Sequence, residues 1–166
     1  ATIAENLADF TGRVEPGTAY TAGIIHDIGK VVIDQYVASA YPYFYRNLQE
    51  EKTFLQIERQ LFGIDHTEVG SYLAEKWSFP DSLVNIISHH HYPEKSTQNQ
   101  ELTHIVYLAD LLMSRFNTGL EMERMNTDAL VSRLEKVGLS PSKFPEIVDS
   151  IPHEALGPSP ELAINA

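Results

Sequence analysis

The chain has 166 residues, 43% of them hydrophobic and 21% charged, a balance that supports a buried core and excludes a disordered polyelectrolyte. Its 23 acidic and 12 basic residues give a net charge of −11, which repels a phosphate backbone and argues against nucleic acid as a partner. No cysteine occurs, so disulfides and thiolate sites are excluded and any metal must rest on histidine and carboxylate.

No apolar run approaches the ~20 residues that a membrane span needs, and no basic-then-apolar leader opens the sequence. A soluble, cytoplasmic protein with no membrane partner is expected. The first residue is Ala1 rather than Met, and the helix-like opening lacks an N-cap before it. The expectation is a fragment with sequence, and with it an additional domain, missing on the N-terminal side.

Apolar residues three or four apart predict helices over 1–11, 19–36, 54–61, 67–77, 81–90, 102–115, 127–137 and 142–150. Breakers separate them: Glu15-Pro16-Gly17, Phe62-Gly63-Ile64-Asp65, Phe79-Pro80, Tyr92-Pro93, Gly119, Gly138 and Pro141. The fold class is therefore all-α, a compact bundle of about seven to nine helices. One domain is expected over 1–152, with a loosely ordered tail over 153–166 that contains Gly157, Pro158 and Pro160.

Local signals place the polar residues. Asp65 followed three residues later by Glu68 forms a capping box, which puts His66 in a first helical turn. Ser140 and Ser142 offer caps for the last helix, and the polar stretch 95–101 reads as a mobile loop. The aromatics Tyr36, Tyr41, Tyr43, Phe44 and Tyr45 read as core or helix-joint packing. Glu50, Glu51 and Glu58 read as a solvated face, and His104 and His153 as surface residues.

Six of the seven histidines lie between residues 26 and 104. His26 and Asp27 are adjacent inside the apolar, helix-like run Ile24-Ile25-His26-Asp27-Ile28-Gly29-Lys30. His66 begins a helix, His90 and His91 end one, and Asp110 lies among Tyr107, Leu108, Leu111 and Leu112. Imidazole and carboxylate are ligands that iron, manganese and zinc accept, and a carboxylate can bridge two ions. Taken singly, each residue also has an ordinary explanation. A buried hydrogen-bonded pair accounts for His26 and Asp27, helix-end cations for His90, His91 and Lys30, and an ion pair with Arg115 for Asp110.

Four segments in this order resemble the HD superfamily of metal-dependent phosphohydrolases, and specifically its HDOD branch, the HD-related output domain of bacterial signalling proteins. They are Ala22-Gly23-Ile24-Ile25-His26-Asp27-Ile28-Gly29-Lys30, His66-Thr67-Glu68-Val69-Gly70, Ile87-Ser88-His89-His90-His91-Tyr92-Pro93-Glu94 and Tyr107-Leu108-Ala109-Asp110. The Trp77-Ser78-Phe79-Pro80 joint is similar too. The resemblance, which extends to the related HD-GYP phosphodiesterases, implies an HD-like fold and metal ligands at His26, Asp27, His66, His90, His91 and Asp110. It implies one or two divalent ions, iron, manganese or zinc. It also implies catalytic roles for Asp27, bridging the ions, and Lys30, offsetting charge as water of lowered pKa attacks phosphorus.

Two departures separate the sequence from the enzymes. No histidine lies between residues 1 and 23, where the enzymes carry a further ligand, and only Glu5 and Glu15 offer carboxylates there. Tyr92-Pro93-Glu94-Lys95-Ser96-Thr97 stands in place of the HD-GYP loop. The expected function is therefore a regulatory output domain of bacterial signalling that binds a protein partner or a small nucleotide. The alternatives are a metal-dependent phosphohydrolase acting on a nucleotide or cyclic dinucleotide, and a metal-free helical interaction module.

Overall fold

A computed structural model of the chain describes residues 1–37, 53–118 and 127–152. In chain order the helices are α1 (Thr2–Thr11), α2 (Pro16–Ile25), α3 (Ile28–Val37), α4 (Phe54–Phe62), α5 (His66–Lys76), α6 (Asp81–His89), α7 (Gln100–Thr118), α8 (Thr127–Lys136) and α9 (Phe144–Ser150). Short 3-10 turns occupy Pro93–Lys95 and Pro141–Lys143. The fold class is all-α, with no strand among the described residues, as the periodicity predicts. Among them too, no helix is long and apolar enough to cross a membrane. The expected tail, Tyr41, Tyr43, Phe44, Tyr45 and His153 lie outside the described residues.

The chain divides into two units. One takes Ala1–Gly23 together with the chain from Gln100 onward, and its core is the contact of α1 with α7. On α1, Ile3 and Leu7, and beside them Ala4 and Ala8, recur four apart and are buried, as are Ile105, Val106, Leu108 and Leu112 on α7. His104 is also buried, its Nδ1 2.8 Å from the Gln100 carbonyl. It is not a surface residue, because its apolar neighbours on α7 carry it into this core.

The other unit, Ile24–Asn99, is organised by α5, which packs on both α3 and α6. Glycine controls the first of these contacts. A Cβ on Gly29 would overlap the His66 carbonyl, and one on Gly70 would come within 2.8 Å of Ile87 Cγ2 and 3.1 Å of the Gly29 nitrogen. Two backbones thus meet where larger side chains would hold them apart. The helix ends follow local chemistry. Thr53 and Gln56 form a capping box on α4, and Gly63 closes that helix at φ 76°.

The predicted capping box on α5 is present. Asp65 Oδ1 accepts from Thr67 N at 3.0 Å and Glu68 N at 3.1 Å, while Glu68 Oε2 accepts from Asp65 N at 3.1 Å. Ser140 and Ser142 do not cap the last helix directly. Ser140 precedes and Ser142 lies in the 3-10 turn that leads into it, and Lys143 is the residue before its first turn. Tyr36 is 63% exposed.

Candidate metal centre

The helix predicted over 19–36 is broken, and the break builds the site. His26 and Asp27 form a two-residue turn between α2 and α3 rather than lying inside a helix. Neighbours in a helix point about 100° apart. In the turn both side chains reach the same place, with His26 Nε2 3.3 Å from Asp27 Oδ2. Lys30, one helical turn later, donates to that same oxygen at 2.7 Å.

The other carboxylate oxygen faces imidazoles. Asp27 Oδ1 stands 3.4 Å from His66 Nε2 and 3.4 Å from His90 Nε2, and His66 Nε2 is 2.9 Å from His91 Nε2. One donor atom from each of Asp27, His66, His90 and His91 falls within 4.8 Å of the others. His66 and His90 are fully buried, and Asp27 retains 28% side-chain exposure.

The hydrogen bonds fix which way these rings present their lone pairs. His90 Nδ1 lies 2.9 Å from the Ile87 carbonyl, which can only accept, so that nitrogen carries the proton. Burial pulls the His90 pKa down despite the raising effect of Asp27, and in the neutral ring Nε2 has a lone pair directed at Asp27. His66 Nδ1 lies 2.7 Å from Glu58 Oε2, which assigns its Nε2 in the same way. Burial pushes the Asp27 carboxyl up, but a hydrogen bond from His90 when that ring carries its second proton, the charge of a protonated His26 and the Lys30 ammonium outweigh it and hold the group well below the usual carboxylate range; with both rings neutral the carboxylate stays paired with Lys30. Anionic oxygen and imidazole lone pairs therefore converge on one point.

Asp27 Oδ1 and His90 Nε2 are buried and make no hydrogen bond among the described residues. Acceptors facing one another at 3.4 Å repel unless a cation lies between them. Ligands that share one ion tetrahedrally at about 2.0–2.1 Å stand roughly 3.3 Å apart. The donor set and its spacing fit a divalent metal.

Five of the six expected ligands, His26, Asp27, His66, His90 and His91, lie in the 24–99 unit, whereas Asp110 lies on α7 in the other. Asp110 is half-buried beside buried Leu108, Ala109, Leu111 and Leu112. Glu15 is occupied locally: its carboxylate accepts from Gly17 N at 2.9 Å, Thr18 N at 2.6 Å and Thr18 Oγ1 at 2.8 Å. Those bonds, Thr18 foremost, lower its pKa and tie it to the first turn of α2.

Glu58, like His104, is a residue that sequence reasoning misplaced. It is buried, not part of a solvated face, and Oε2 accepts both the His66 ring proton and the His66 backbone N–H, the latter at 2.9 Å. Its place beside the buried Leu55 and Ile57 on α4 was the available signal. A cleft of about 250 Å³ opens nearby, lined by residues that include Arg59, Glu68, Ser88 and His89, but its walls carry none of the cluster's donors.

A model of the HDOD domain matches residues 1–93. Among curated proteins, the chain is 30% identical over 128 residues to an uncharacterized protein of Treponema pallidum, covering 70% of this chain and 23% of that protein. It is 29% identical over 137 residues to Ribonuclease Y of Aquifex aeolicus, covering 82% of this chain and 19% of that one. The chain thus spans less than a quarter of the length of these relatives.

Among solved structures, an HDOD domain protein of unknown function from Geobacter sulfurreducens is similar at 30% identity and a TM-score of 0.59, over 68% of this chain and 38% of that one. A "Putative phosphohydrolase" from Shewanella amazonensis SB2B shares the fold at 20% identity and a TM-score of 0.68, over 93% of this chain and 58% of that one. The HDOD match covers more than half of the sequence, and the chain belongs to the HDOD domain family.

Proposed function

We propose that this HDOD domain is a metal-holding regulatory output module of a bacterial signalling protein. The observation that carries the metal is the convergence of Asp27 Oδ1 with the Nε2 atoms of His66 and His90 at 3.4 Å. Asp27, His66, His90 and His91 would hold a divalent ion, iron, manganese or zinc. The family resemblance adds His26, in the same unit, and suggests a second ion. Two features favour regulation over turnover. Glu15, a carboxylate ahead of the His-Asp pair, serves as a helix cap, and Lys30 is drawn onto Asp27. The partner we propose is a signalling protein or a small nucleotide, and the setting the cytoplasm.

The second reading is a phosphohydrolase, favoured by the donor set and by the phosphohydrolase and ribonuclease among the similar proteins. When bound, a divalent ion supplies Lewis-acid charge for a phosphoryl oxygen and makes water more acidic. In that reading Asp27 orients the reacting groups, and Lys30 turns from Asp27 to an anionic oxygen of the substrate. The net charge of −11 favours a small nucleotide or cyclic dinucleotide over RNA.

Metal analysis with and without Asp27→Ala, followed by assay against nucleotide phosphodiesters, separates the readings. The regulatory module retains a stoichiometric ion that the variant loses, and releases no product. Turnover abolished by Asp27→Ala in a folded protein would establish the enzyme instead, and absence of metal would leave only an interaction module.

A further inference from the structure

We infer that Glu58 is the positioning residue of the cluster and sets its affinity for a divalent cation through the His66 ring. This rests on the metal-holding reading above and adds a residue outside the ligand set. Glu58 reaches His66 from a different helix, eight positions earlier. Its side chain is 5% exposed, and one carboxylate oxygen accepts two hydrogen bonds from the same residue, at 2.7 Å from the ring and 2.9 Å from the backbone. A carboxylate that deep is costly unless charge or strong hydrogen bonds compensate it.

A purely structural role would need only the backbone bond, since the His66 N–H is among those that a first helical turn leaves unsatisfied. The ring bond does something further. It keeps the proton on Nδ1, leaves the Nε2 lone pair facing His91 Nε2 at 2.9 Å and Asp27 Oδ1 at 3.4 Å, and restrains rotation of the imidazole. An anionic acceptor on the far nitrogen also makes the near nitrogen a stronger donor to a metal. The next residue on α4 completes the clamp: Arg59 Nη2 lies 2.7 Å from Asp65 Oδ2, so α4 grips both the cap of α5 and its first side chain.

The test uses the full chain with Zn²⁺ and Mn²⁺ as probes, comparing wild type with Glu58→Gln and Glu58→Ala. Glutamine keeps an oxygen acceptor without the charge, so Glu58→Gln is expected to weaken binding several-fold. Glu58→Ala is expected to weaken it by about 10–100-fold, the usual loss when such a partner is removed. Ring ¹⁵N shifts of His66 in the metal-free proteins provide a readout that a structural role would not move. Wild type and Glu58→Gln should hold the proton on Nδ1, and Glu58→Ala should populate both tautomers. Wild-type affinity in both variants, or an unchanged His66 tautomer in Glu58→Ala, would overturn the inference while leaving the metal reading intact. Failure of the wild type itself to bind either ion would overturn both.

Discussion

Gly29 lies so close to His66 that its missing side chain is a structural requirement: a Cβ there would run into the His66 carbonyl. This contact sets α3 against the first turn of α5. It thereby sets Asp27, two residues before the glycine, within 3.4 Å of the His66 ring.

Gly29→Ala is therefore expected to do more harm than an ordinary helix substitution. Although alanine is the better helix former, the backbone of α5 cannot yield as a flexible side chain would. A loss of about 1–3 kcal/mol, typical of overpacking, is expected in urea unfolding, with weakened Zn²⁺ binding measured calorimetrically. Wild-type stability in Gly29→Ala would show that the two helices separate freely.

Removing a ligand should uncouple metal from stability. An ion supplied at a hundredfold its Kd stabilises the folded state by about 2.7 kcal/mol. Wild type should show this gain in thermal unfolding, and Asp27→Ala and His90→Ala should not. A gain of equal size in Asp27→Ala would place the ion elsewhere.

If the cluster holds a divalent ion as proposed, Lys30 competes with it for the same carboxylate, since the ammonium sits 2.7 Å from Asp27 Oδ2. Lys30→Met should tighten Mn²⁺ binding a few-fold and weaken binding of inorganic phosphate to the metal-loaded protein. Isothermal titration of both ligands reads the two effects, and a parallel loss of both would contradict this competition.

Asp65 caps α5 through its two backbone acceptances and pairs with Arg59. Asp65→Ala should cost about 1–2 kcal/mol, the upper part of the range for helix caps, and loosen the turn that presents His66. Denaturant midpoints together with amide exchange in residues 66–69 would check this, with unaltered exchange as the contrary result.

Glu15 provides a pH signature away from the cluster. Hydrogen bonds from Thr18 and Gly17 lower its folded pKa, so its contribution to stability is fully present above the unfolded-state value of about 4.3 and fades as pH falls through the lower folded value. Glu15→Gln should destabilise the protein at pH 7 and have little effect near pH 2. Equal destabilisation at both pH values in urea titrations would mean that the charge is irrelevant to the cap.

How far the sequence could be read is clear from particular residues. The Asp65–Glu68 box was legible because capping is local: its donors and acceptors lie within four residues and follow directly from chain geometry. His66, His90 and His91 were legible as candidate ligands only through their order along the chain, which resembles a family pattern. The His26-Asp27 turn was misread as helix because the apolar periodicity continues through it and no proline or positive-φ glycine marks the break. Glu58 and His104 were misread as exposed because polar character predicts solvent only when no tertiary partner is available.

By itself the sequence determined an all-α chain, the starts and stops of most helices, and the ligand chemistry available without cysteine. Those follow from periodicity, capping and residue type, all of them short-range or compositional. Only the tertiary structure decided that Asp27 turns one oxygen to imidazoles and the other to Lys30, that His66 is buried, and that Glu58 aims it. These arrangements depend on α3, α4, α5 and α6 converging, and the glycine contact between two backbones that permits part of that convergence has no signature in a single stretch of sequence.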